Sequence, residues 1–91
     1  MSYRFKYIYK DGTSEISGAK SGKPEGLFFD FDGLMNWDEY YELYDKNLTT
    51  KEVLKLALKY YEDYFKKDFK RIEIINDETN KVIDYIEKSE E

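Results

Sequence analysis

The chain has 91 residues, a formal net charge of −5 and 19% aromatic residues, and it contains neither cysteine nor histidine. Disulfides, thiolate metal sites, thiol nucleophiles and histidine acid–base chemistry are thereby excluded. An acidic balance also argues against a general nucleic-acid binder, whose footprint is basic.

The length sets a single small domain, residues 1–91, and with ten Tyr, six Phe and one Trp the core must be built largely from rings. The amino terminus opens straight into an alternating pattern with no leader, and no apolar run reaches spanning length. A soluble, cytoplasmic protein is expected.

Tyr3, Phe5, Tyr7 and Tyr9 alternate with Arg4, Lys6, Ile8 and Lys10, the period of a half-buried strand. Asp11-Gly12 then signals a tight hairpin, and Ser14 to Ala19 reads as the returning strand. A Gly- and Pro-containing loop, residues 21–26, follows. Leu27 to Phe31 is a short apolar run read as a third strand, with Leu27, Phe29 and Phe31 on one side.

Asn36 and Glu39 stand at capping-box spacing before a helix near 37 to 46. Trp37, Tyr40, Tyr41 and Tyr44 share one face of it, with Asp38, Glu39, Glu42 and Asp45 on the other; tyrosine enrichment fits an interface, and Tyr40, Tyr41 and Tyr44 fit a core equally. Thr49 and Glu52 repeat the capping signal for a second helix near 50 to 67, whose stripe is Leu54, Ala57, Leu58, Tyr61 and Phe65. Arg71 to Ile75 and Lys81 to Ile86 close the chain as a hairpin turning at Asn80, and Lys88 to Glu91 reads as a frayed tail.

The order β-β-β-α-α-β-β predicts an α+β fold, a small antiparallel sheet with both helices packed on one face. Whether the last hairpin extends the first sheet is left open by the pattern. Leu54, Leu58, Tyr61, Phe5, Tyr7, Phe29, Ile74 and Ile83 are the expected core.

Leu27-Phe28-Phe29-Asp30-Phe31-Asp32-Gly33-Leu34 resembles the first motif of haloacid-dehalogenase-type phosphatases. The resemblance implies Asp30 as phosphoryl-accepting nucleophile and Asp32 as acid/base, with Asp77 in a distal metal-binding motif. Leu34 stands where the family has threonine, and 91 residues do not accommodate the family's parallel sheet, so a solvent-facing Asp30 and an Asp32-Gly33 turn are expected instead. The same stretch approaches a calcium loop, with Asp30, Asp32, Gly33 and Glu39 at positions 3, 5, 6 and 12, but Phe28 occupies position 1. No metal, cofactor or catalytic residue is therefore expected.

Charge is distributed in blocks. Residues 27–45 carry six acidic and no basic side chains, and residues 46–71 carry eight basic and four acidic. Lys51, Lys55 and Lys59 lie on one helical face, a candidate contact for an acidic partner; the plainer reading is a solvated face.

In size, charge and tyrosine content the chain resembles small inhibitors of CRISPR nucleases and restriction enzymes. That likeness implies a phage- or mobile-element-type inhibitor that occupies a basic, nucleic-acid-binding site on a partner protein. The expectation is a non-enzymatic acidic interaction protein that binds through Asp30, Asp32, Asp38, Glu39, Glu42 and Asp45, with no direct nucleic-acid or membrane contact. The alternatives are a structural or regulatory subunit pairing by sheet edge or helix face, homo-oligomers included, and a metal-dependent phosphatase-like enzyme.

Overall fold

The computed structural model describes residues 2–88. Its frame is a four-stranded antiparallel sheet in the order β2-β1-β3-β4, formed by β1 (Tyr3–Tyr9), β2 (Ser14–Ile16), β3 (Phe69–Asn76) and β4 (Val82–Glu87). The closing hairpin thus extends the first one, through pairing of β1 with β3. The β1–β2 turn forms because Gly12 takes φ +91 and the Asp11 carboxylate accepts from the Thr13 backbone N–H at 2.9 Å. Asn80 takes the left-handed conformation, φ 60, in the β3–β4 turn.

Register gathers the apolar side chains on one face. Phe5 stands opposite Ile74 and Tyr7 opposite Ile72, and all four are buried. Against this face lies α2 (Thr50–Phe65), started by a complete capping box between Thr49 and Glu52. Val53, Leu54, Ala57 and Tyr61 are its buried residues, whereas Leu58 is only half-buried. The predicted stripe is therefore turned by part of a residue step, toward Val53. The core is aromatic: Tyr7 stacks on Phe69 at 5.6 Å, and Tyr61 meets Phe5 edge-on at 5.8 Å.

The end of α2 is tied down by one carboxylate. Glu62 accepts from the Phe69 N–H at 3.1 Å and from Lys88 Nζ at 2.6 Å, joining α2 to β3 and to the residue after β4. Burial pushes the Glu62 carboxyl up, but these hydrogen bonds outweigh it and hold it below its ordinary value.

Four expectations need correction. Leu27 to Phe31 is not a strand; it belongs to a 3-10 helix, η1 (Pro24–Phe31), with Pro at its first turn. Burial of Leu27, Phe28 and Phe31 follows helical spacing, and this turns Phe29 outward. Ile83 is exposed because the β3–β4 register shifts between Ile74 and Ile75, where Ile83 is the extra residue on β4. The returning strand is also shorter than predicted: it ends at Ile16, and although the Ser17 N–H still donates to the Phe5 carbonyl, the Ser17 hydroxyl takes the place of its carbonyl in accepting from the Phe5 N–H. The expected tail lies, beyond Lys88, outside the described residues.

Candidate functional site

The placement of the α1 aromatic side chains defines the site. The helix α1 (Trp37–Tyr44) forms as its cap predicts, with the Asn36 side chain accepting from the Asp38 N–H at 2.8 Å. Its four-aromatic face is not core. Tyr40 alone turns in, 8% exposed, and stacks on Phe28 of η1 at 5.0 Å. Trp37 and Tyr41 are each 60% exposed, and Tyr44 is 53% exposed.

The helix α1 has only eight residues, and one narrow strip of it meets the rest of the fold. Tyr40 and Leu43 fill it, and the other rings are left outside.

These outer rings form a continuous surface. Trp37 stacks on Tyr41 at 5.6 Å, Tyr40 links to both and to Tyr44, and Tyr44 meets Phe29 edge-on at 5.6 Å. Phe29, 53% exposed, thereby joins η1 to the α1 surface. A groove of about 460 Å³ opens beside it, with Phe28, Phe29, Leu43, Tyr44 and Leu48 on its walls together with the charged side chains of Lys23, Glu25 and Lys46.

The six predicted acidic residues divide into three groups. Asp38, Glu42 and Asp45 are exposed and, at helical spacing, form a row beside the aromatic surface. Among the described residues neither Asp38 nor Asp45 has a cationic partner, and Glu42 has only an exposed i,i+4 contact with Lys46 at 3.8 Å. Glu39 turns the other way and accepts from the Tyr60 hydroxyl at 2.6 Å. That bond, with burial second, pushes the Tyr60 hydroxyl up to about 12. Glu39 is a brace holding α1 against α2 and leaves the contact surface.

Asp30 and Asp32 line a different opening, a cleft of about 530 Å³ bounded also by Tyr7, Glu15, Ser17, Tyr61 and Tyr64. Asp30 Oδ2 accepts from the Tyr61 hydroxyl at 2.6 Å. Burial first, and Asp30 after it, push the hydroxyls of Tyr7 and Tyr61 well above the ordinary tyrosine range. Asp32 caps η1 and also reaches α1: the Tyr40 hydroxyl is raised first by burial and then by the Asp32 charge.

The strand that the phosphatase-like motif needs is helical here, and its first aspartate is engaged by a phenol. Glu39, the twelfth position of the calcium-loop reading, faces Tyr60, and among the described residues no three acidic side chains are grouped to hold a metal ion.

The rival basic face of α2 is largely occupied from within. Lys51 pairs with Asp84 at 3.0 Å, and Lys59 lies 4.0 Å from Glu39 and over the Tyr60 ring. Sequence reasoning missed Phe29 as a surface residue and left Tyr41 and Tyr44 open between interface and core; both are exposed. The signal that could have found Phe29 was Pro24, which favours a helical start. Among the described residues, no helix is long and apolar enough to cross a membrane. Compared with known proteins, the chain matches no family model, no curated protein and no solved structure.

Proposed function

We propose that this chain is a non-enzymatic interaction protein whose η1–α1 face seats on a basic surface of a partner protein. One observation carries the reading: Phe29, Trp37, Tyr41 and Tyr44 form an exposed aromatic surface, linked through Tyr40 and flanked by Asp38 and Asp45, which have no cationic partner among the described residues. Contiguous exposed rings are costly in water, and they are the residue types that anchor interfaces. Unpaired carboxylates beside them favour a cationic partner, steer its approach and disfavour acidic ones.

In the narrower form of the proposal, the carboxylate row takes the place of phosphates in a nucleic-acid-binding site. The partner is then a nuclease of the CRISPR or restriction type, met in the cytoplasm. The basic face of α2 is the weaker candidate, because Lys51 and Lys59 are already engaged.

The test is quantitative capture from the native cell extract with tagged wild type, Trp37→Ala/Tyr41→Ala, Asp38→Lys/Glu42→Lys and Lys55→Glu. A basic partner retained by Lys55→Glu and lost from both face variants supports the proposal. A partner lost only from Lys55→Glu would move the working surface to α2. A captured nuclease whose nucleic acid competes with this chain supports the narrower form, and simultaneous binding of both would remove it.

A further inference from the structure

The two edges of the sheet are protected differently. β2 is three residues long and offers little to pair with, whereas β4 runs for six residues with Val82, Ile83 and Tyr85 exposed. A long edge with apolar side chains is a template for another strand. Register identifies its outward groups. Lys88 N–H donates to the carbonyl of Lys70, directly opposite, at 3.1 Å, so alternation turns Ile86 and Asp84 toward β3 and turns the Tyr85 and Glu87 backbones outward.

Both outward groups of Tyr85 are already taken by side chains. Its N–H donates to Asp84 Oδ1 at 2.8 Å, and its carbonyl accepts from Lys51 Nζ at 2.5 Å. Lys51 also pairs with Asp84 Oδ1, and the Thr50 hydroxyl donates to Asp84 Oδ2 at 2.5 Å. The first turn of α2 therefore reaches over the free edge of the sheet at its midpoint.

We infer that Lys51 and Asp84 form a latch that closes the β4 edge, and that the occupant it excludes is β4 of a second copy of this chain. Antiparallel pairing of two β4 strands about Tyr85 is self-complementary. It sets the two Tyr85 residues opposite one another, with Ile83 of each copy opposite Glu87 of the other, and continues the sheet through a two-fold axis. An incoming strand needs the Tyr85 N–H and carbonyl, so two charge-assisted hydrogen bonds must break before it can dock. The latch uses none of the residues of the η1–α1 face.

Sedimentation velocity over a concentration series tests this with wild type, Lys51→Arg, Lys51→Met and Lys51→Gln. Lys51 is half exposed, so these changes leave the core intact. Wild type and Lys51→Arg stay monomeric, while Lys51→Met and Lys51→Gln dimerise at concentrations roughly tenfold or more below any at which wild type associates. Hydrogen exchange of the Tyr85 amide slows in those dimers. Two results overturn the inference: uncharged variants that stay monomeric with wild-type circular dichroism, or dimers in which Tyr85 exchange does not slow. Wild type that already pairs through β4 overturns it as well.

Discussion

Tyr40 and Tyr41 are neighbours in sequence with opposite fates, and truncating each in turn tests the orientation of α1. A buried aromatic removes roughly 200 Å² from water. At about 25 cal/mol per Å² that burial is worth about 5 kcal/mol as an upper bound. Alanine retains a methyl group and is the better helix former by roughly 0.5 kcal/mol, so Tyr40→Ala should cost about 3 kcal/mol, part of it from the lost stack on Phe28.

Tyr41 is 60% exposed and its main neighbour is Trp37, also outside. The gain in helix propensity offsets what little contact is lost, and Tyr41→Ala should shift stability by less than about 1 kcal/mol. Urea denaturation followed by circular dichroism reads both at unchanged m value. Equal losses in the two variants, or a larger loss for Tyr41→Ala, would mean that α1 is rotated and that its aromatic face is core after all.

Leu54→Ala should cost about 2 to 5 kcal/mol because Leu54 is fully buried, and the half-buried Leu58 should cost distinctly less when truncated; the same denaturation series checks the order. Thr49→Ala removes the hydroxyl that accepts from the Glu52 N–H, one half of the capping box on α2, and should lower stability by about 1 kcal/mol. Alkaline pH should destabilise the fold: burial raises the Tyr7 and Tyr61 hydroxyls above their ordinary 10.0, so the folded chain holds these protons more tightly than the unfolded chain. That contribution is complete below the unfolded pKa and is lost as pH rises from about 10. Urea midpoints should fall across that range, while tyrosinate absorbance shows Tyr7 and Tyr61 ionising only on unfolding; a flat midpoint would contradict it.

Elements that carry their own punctuation were legible in the sequence. β1 announces itself by strict alternation of rings and polar residues, α2 by Thr49 and Glu52, and the last turn by Asn80. Leu27 to Phe31 was misread because alternate and helical spacings overlap in so short an apolar run; both put Leu27 and Phe31 inside, and the fates of Phe28, buried, and Phe29, exposed, separate them. The α1 face was grouped correctly, but its periodicity left interface and core open. Spacing shows which side chains share a face, but whether anything covers that face depends on how much of η1 lies against it. The acidic row could be read from α1 periodicity, whereas the withdrawal of Glu39 to Tyr60, 21 residues away, could not. The Lys51 latch has the same origin, a contact across 34 residues set by sheet order.

The central claim is that exposed rings and unpaired carboxylates on one face make the binding surface. The most direct measurement is titration calorimetry of the captured partner against wild type, Trp37→Ala/Tyr41→Ala and Asp38→Lys/Glu42→Lys, at low and high salt. The account predicts that each double variant weakens binding on the order of a hundredfold, about 2.7 kcal/mol. It also predicts that added salt weakens wild-type binding far more than that of the charge-reversed variant, and that the melting temperature of Asp38→Lys/Glu42→Lys stays near wild type, since these exposed charges contribute little to folding. Unchanged affinity in both double variants, at either salt concentration, would contradict it.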